Sequence, residues 1–98
     1  MAFKITNNQG ILEVNGNIIG ENTVFMRSYF EELLSDTDKI VLSLDHVKTI
    51  DLNGVEAVTT LCKKAMELNK IFYVIGKDNR SISNAFGKMN YILRHDFI

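Results

Sequence analysis

Ile40-Val41-Leu42-Ser43-Leu44-Asp45-His46-Val47-Lys48-Thr49-Ile50-Asp51-Leu52-Asn53-Gly54-Val55-Glu56 is the stretch on which the fold turns. Ile40 to Leu44 is a nearly continuous apolar run of strand length. That pattern suits a strand covered on both faces, as in a parallel sheet. Asn53-Gly54-Val55-Glu56 then opens a helix. Asparagine is among the best N-cap residues, and a glutamate three positions on can reach back to the cap. Val55, Val58, Leu61, Cys62, Ala65 and Leu68 form its apolar stripe, with Asn69 as terminator. Ile71 to Ile75 is a second buried strand, stopped by Gly76. Strand, helix and strand together predict a right-handed crossover between parallel neighbours.

Working outward, Phe3 and Ile5 alternate with polar residues. Asn7-Asn8-Gln9-Gly10 supplies turn chemistry, and Ile11 to Val14 resumes the extended pattern, predicting an antiparallel hairpin closed by Asn15-Gly16-Asn17. A helix capped by Asn22 or Thr23 follows. Met26, Phe30 and Leu33 recur at helical spacing beside Tyr29 and Leu34. Ser35-Asp36-Thr37-Asp38 ends it. Toward the carboxyl end, a third helix is predicted from Asn79, with Ile82, Ala85, Phe86 and Met89 on one side. The tail, Tyr91 to Ile98, is apolar enough to dock as a short edge strand or a turn of helix. The expected architecture is α/β in the order β-β-α-β-α-β-α. It implies a small mixed sheet of roughly four to five strands in one domain over residues 1–98.

Bulk properties exclude several classes of function. The chain has 98 residues, 46% hydrophobic and 23% charged, the composition of an ordinary globular protein. Eleven basic and 12 acidic residues give a net charge of −1, with no basic cluster dense enough to hold nucleic acid. The Lys63-Lys64 pair and the Glu31-Glu32 pair are expected on solvated helix faces. The start, Met1-Ala2-Phe3-Lys4, lacks the apolar core of a secretory signal, and no run reaches the length of a membrane span. The single cysteine suits a reducing compartment, so the cytoplasm is the expected location.

Open α/β sheets place their sites beyond the carboxyl ends of strands, where helices begin. Here that rule selects Asp45 through Gly54. The following helix offers unpaired N–H groups and a partial positive charge, a seat for an anion. On spacing alone, a purely structural reading stands beside this one, with Asn53 capping the helix and Asp51 ordering a turn. Other candidates are weaker. His46 and His95 have no Cys, Asp or Glu at metal-ligand spacing. Cys62 lies on an apolar stripe and reads as a core thiol rather than a nucleophile. No phosphate loop, carboxylate pair or Ser/His/Asp arrangement appears, so an enzyme is not expected.

Taken together, Ile40 to Val55, Val14-Asn15-Gly16-Asn17-Ile18, and Lys70 to Gly76 with the helix after it resemble the STAS domain. That domain is the module of bacterial anti-sigma-factor antagonists and of the cytoplasmic tails of sulphate transporters. The resemblance implies a protein-binding regulator that needs no cofactor. Its partner, an anti-sigma factor that is also a kinase, would be contacted through Thr49, Asp51, Leu52, Asn53, Gly54 and Val55. In that family the serine just before the glycine is phosphorylated, which adds about −1.5 to −2 charges and abolishes binding. This chain departs there. Asp51 and Gly54 match the pattern, but Asn53 stands in place of that serine and Leu52 in place of the serine before it. Asparagine cannot be phosphorylated, so control by phosphate at this position is lost or altered. Thr49 and Thr59 carry the nearest hydroxyls. The same departure also suits an alternative, a STAS subunit of a larger lipid-transport or stressosome-like assembly.

Overall fold

A computed structural model describes residues 3–97; Met1, Ala2 and Ile98, which the readings of the start and the tail include, lie outside it. The hairpin pairs β1 (Lys4–Asn8) with β2 (Ile11–Ile18) antiparallel, Asn8 opposite Ile11. Gln9 and Gly10 between them both have positive φ, 54° and 90°. Two successive positive φ values are what a tight two-residue hairpin turn requires. Asn7 Oδ1 accepts the Gly10 N–H at 2.9 Å and fixes the turn. β2 runs straight through Asn15-Gly16-Asn17, which was expected to end it, because Val14, Gly16 and Ile18 alternate onto the buried face.

Helix α1 (Glu21–Asp36) follows, then β3 (Lys39–Ser43), β4 (Val47–Ile50), α2 (Leu52–Glu67), β5 (Ile71–Ile75) and α3 (Arg80–Phe86). A 3₁₀ segment (Gly87–Ile92) and a two-residue strand β6 (Leu93–Arg94) complete the chain. The tail therefore uses both forms expected of it. The sheet has six strands in the order β1-β2-β3-β5-β6, with β4 beside β2; every pairing except β1–β2 is parallel. This is a mixed α/β architecture, as the sequence predicts. It has one strand more than expected, because the β3–α2 connection contains β4. β2 serves two neighbours in turn, Ile11 to Glu13 pairing with β3 and Gly16 to Ile18 with β4.

Packing explains the apolar patterns. Val14 and Ile18, Met26, Phe30 and Leu34, Leu42 and Leu44, Val58 and Leu61 are all fully enclosed. Each such aliphatic or aromatic side chain contributes about 1.5–3 kcal/mol on burial. Phe30 meets Phe72 edge-on, with ring centroids 6.0 Å apart. On α1 the inward row is Met26, Phe30 and Leu34, leaving Leu33 half-buried and Tyr29 exposed. On α2, Leu68 is not part of the stripe but the exposed C-cap. Asn69 follows with φ 57°, and its N–H bonds to Met66 O while that of Lys70 bonds to Ala65 O. That pair of bonds is a Schellman ending, here with asparagine in the usual glycine position. The helix from Asn79 is shorter than predicted, ending at Phe86; Ala85 and Met89 are exposed.

Asn79 ties the carboxyl-terminal elements to the rest. Its Oδ1 accepts the Ser81 and Ile82 N–H groups as the cap of α3. Its Nδ2 lies 3.0 Å from Leu44 O and 2.9 Å from Val47 O, clamping the β3–β4 connection. Asn79→Ala removes the cap and the clamp together, although Leu44 O keeps the Val47 N–H at 3.1 Å, so it should destabilise the fold by about 1–3 kcal/mol. Asn79→Asp keeps the capping oxygen but turns the other carboxylate oxygen toward the same carbonyls, so it loses the clamp and adds repulsion there. Denaturant midpoints of both variants should fall below wild type, and the failure of Asp, which keeps the cap, to restore stability would assign the loss to the clamp.

Candidate partner-binding site

The site forms where β2 and β4 end together and α2 begins. Ile18 pairs with Ile50, and the Asp51 N–H donates to Ile18 O at 3.3 Å. The chain then turns into α2 with Asp51, not Asn53, as N-cap: Asp51 Oδ1 accepts the Gly54 N–H at 2.8 Å. Asp51 O accepts the first helical bond, from Val55 N–H at 3.0 Å. The cap lies two residues before the expected one, and the third residue after it is Gly54, so the helix has no capping-box glutamate. Asn53 is therefore the second residue of the helix, exposed, and Glu56 is not the capping-box residue.

Gly54 explains why the helix starts there. A Cβ at this position would lie 2.6 Å from Ile50 Cγ1 and 2.9 Å from both Ile18 Cγ2 and the Ile18 carbonyl oxygen. The first turn of α2 thus packs backbone-first onto the ends of two strands. Gly54 and Val55 are buried, Val55 at 6% exposure, so neither offers a side chain to a partner. Their expected role as contacts is corrected accordingly: the helix face that holds them is the face packed on the sheet. Leu52 is the opposite case, an apolar side chain 71% exposed. Thr49 is exposed in β4, its hydroxyl hydrogen-bonded to Asn17 Oδ1 at 3.0 Å, and Asp51 is half-buried. The surface presented is therefore Leu52 and Asn53, with Thr49 beside them. Thr59, the other nearby hydroxyl, is half-buried and donates to Glu56 O at 3.0 Å.

The seat predicted for an anion is already occupied. Asp51 sets its own carboxylate against the positive end of α2, so a second anion would meet a negative charge there. Alongside, α1 and α2 enclose a groove of about 360 Å³ lined by Thr23, Val24, Arg27, Asn53, Glu56 and Thr60. Val24 is 67% exposed, and Thr23 Oγ1 is buried without a hydrogen-bond partner among the described residues. The contribution of α1 was missed in the sequence. A usable signal was there, since Val24 and Phe25 are apolar at positions off the Met26-Phe30-Leu34 row.

The other candidates fall apart from this site. His46 Nε2 lies 3.9 Å from Glu13, and His95 Nδ1 lies 2.7 Å from Asp78, both pairs at the surface. The fold thus supplies acidic neighbours that sequence spacing did not show. Among the described residues, however, no three His, Cys, Asp or Glu side chains gather to hold a metal. Partial burial and the nearby Asp78 carboxylate raise the pKa of Asp45, with His46 acting in the opposite sense. Cys62 is half-buried rather than fully enclosed, and burial pushes its thiol up to about 11. Of the charged pairs expected on solvated faces, Glu31 and Lys64 approach each other across α1 and α2 at 3.9 Å. Among the described residues no helix is long and apolar enough to cross a membrane.

The cap and the close approach are separable. Asp51→Ala should cost about 1 kcal/mol and Asp51→Asn much less, since asparagine keeps a capping oxygen. Gly54→Ala forces a methyl onto the Ile18 carbonyl and should cost about 1–3 kcal/mol. Thermal and urea unfolding of the three variants measures both effects.

A family model described as the STAS domain matches residues 1–76, which contain β1 to β5, both long helices and all the site residues. No curated protein sequence matches the chain. A match over that share of 98 residues shows that the chain belongs to the STAS-domain family.

Proposed function

We propose that the chain is a non-enzymatic, protein-binding regulator of the anti-sigma-factor-antagonist kind, which docks a soluble partner through Leu52, Asn53 and Thr49. The observation that carries this reading is Leu52. Leu52 is 71% exposed at the start of a rigid helix, beside Asn53, whose groove is also lined by Val24, 67% exposed, so two helices offer apolar surface to one partner. Asn53 beside it is neutral and exposed. In the family's phosphorylated position it leaves the surface in the binding-competent charge state. The partner class implied is an anti-sigma factor with kinase activity, in the cytoplasm.

A second reading also draws on Asn53. A STAS subunit built permanently into a larger assembly needs no phosphate switch. Both readings use the same surface and differ in the size and permanence of the complex.

Affinity purification of the tagged full chain from its native lysate, with Leu52→Glu and Asn53→Asp alongside, tests the proposal. A kinase-like or anti-sigma protein should be retained by the wild type. Its recovery should fall by about tenfold or more with Leu52→Glu, a loss of about 1.4 kcal/mol. Asn53→Asp should weaken binding in the direction of the missing phosphate. Failure of every form to retain such a protein sinks the regulator reading. Elution of the native complex at the size of a multi-subunit particle selects the second.

A further inference from the structure

Helix α2 forms another groove with the 3₁₀ segment Gly87–Ile92, remote from Asn53. Two adjoining cavities of about 460 and 230 Å³ share Cys62, Met66, Tyr91 and Ile92 as floor and walls. Met89 extends the apolar lining at one end and Phe72 at the other. Met66 is 75% exposed and Tyr91 63%, which is unusual for large apolar side chains facing one another across a cleft. The charged groups are all of one sign. Lys63 lines the Met89 end, Lys70 and Arg94 line the Phe72 end, and among the described residues no carboxylate lines either cavity. The groove beside Asn53 differs, since Arg27 and Glu56 both line it.

We propose that this groove binds a single-chain anionic amphiphile, a long-chain carboxylate. Its alkyl chain would lie along Cys62, Met66, Tyr91 and Ile92, and its headgroup would sit between Lys70 and Arg94. Those two cations are held in place, Lys70 Nζ on Leu34 O and Arg94 Nη1 on Tyr91 O at 3.1 Å. Each keeps further N–H donors for a carboxylate. Methionine thioethers adapt to a flexible chain without a fixed shape. The larger cavity holds about 460 Å³. That volume falls within the roughly 300–1,000 Å³ of small-molecule sites. Gly87 to Arg94 lies outside the residues matched to the family, so the groove is built partly from a segment the family match does not cover.

The chain contains its own reporter, because its one cysteine lines the groove. Calorimetric titration of the full chain with laurate below its micelle concentration should show saturable binding. Laurate should also slow alkylation of Cys62 by N-ethylmaleimide by about tenfold, read near pH 9 because the thiolate is the reacting form. Dodecyltrimethylammonium, with the same chain and opposite charge, should bind about tenfold more weakly or less. Met66→Glu alters an exposed residue and should weaken laurate by a similar factor with an unchanged unfolding midpoint. Arg94→Gln should weaken laurate and strengthen dodecyltrimethylammonium, narrowing the difference between them. Absence of laurate binding, binding that leaves Cys62 equally reactive, or equal affinity for the cationic amphiphile would each overturn the proposal. So would protection of Cys62 by an acidic amphipathic peptide where laurate gives none.

Discussion

The missing side chain at Gly54 is the constraint from which the rest of the site follows. The Ile18 carbonyl accepts the Asp51 N–H and also occupies the space a Cβ at position 54 would need, 2.9 Å away. The helix must therefore meet the sheet edge-on through bare backbone. Once Gly54 and Val55 face inward, the 100° step of the helix sends Leu52 and Asn53 outward. The same step places Asn53, Glu56 and Thr60 in one row facing α1. Exposure of Leu52 is thus a geometric consequence of where the glycine lies. What remains for function to explain is why the exposed residue is a leucine.

The junction is supported from two directions. β2 reaches it by pairing first with β3 and then with β4, with a register irregularity between Gly16 and Asn17. Thr49 bonds across that step to Asn17 Oδ1. From the far side, Asn79 holds the carbonyls of Leu44 and Val47, so the position of β4 depends on α3. Two carboxamides therefore fix a short strand that has little apolar burial of its own beyond Val47. Polar groups can do this only where their partners are fully matched. In Asn79 each amide atom faces groups of the complementary kind.

Most of the fold was legible because its strongest elements carry unambiguous patterns. Ile40 to Leu44 and Ile71 to Ile75 are apolar runs of strand length, and α2 has a clear helical stripe. The errors arise where one residue type serves several purposes. Asp51 and Asn53 are both good caps, and only the contact between Gly54 and Ile18, which is absent from any local pattern, selects the first. β4 was hidden because Lys48 and Thr49 are both exposed, breaking the two-residue alternation of a half-buried strand. At the start of α1, Asn22 and Thr23 look like caps, yet Gly20 with φ 54° is the cap. Asn22 Nδ2 donates instead to Asn17 O at 2.9 Å, a long-range bond with no trace in local spacing. The site was legible as a segment, not as a surface. Strand and helix periodicity located residues 45–54, but which of them point outward depends on tertiary contacts.

Charge at the head of α2 ties the structure to the proposed role. Asp51 is the fixed negative charge there, engaged by the Gly54 N–H and matched to the helix dipole. A phosphorylated residue at position 53 would bring roughly two more negative charges within one helical turn of it. Repulsion between them would be relieved by turning the phosphate outward, into any bound partner. That is a physical basis for an off-switch at this position, and it requires both the aspartate and the exposed second residue of the helix. This chain has the aspartate and the exposed position but places an uncharged amide there that cannot be phosphorylated. On the proposed reading, occupancy is set by the concentrations of the chain and its partner rather than by modification of Asn53.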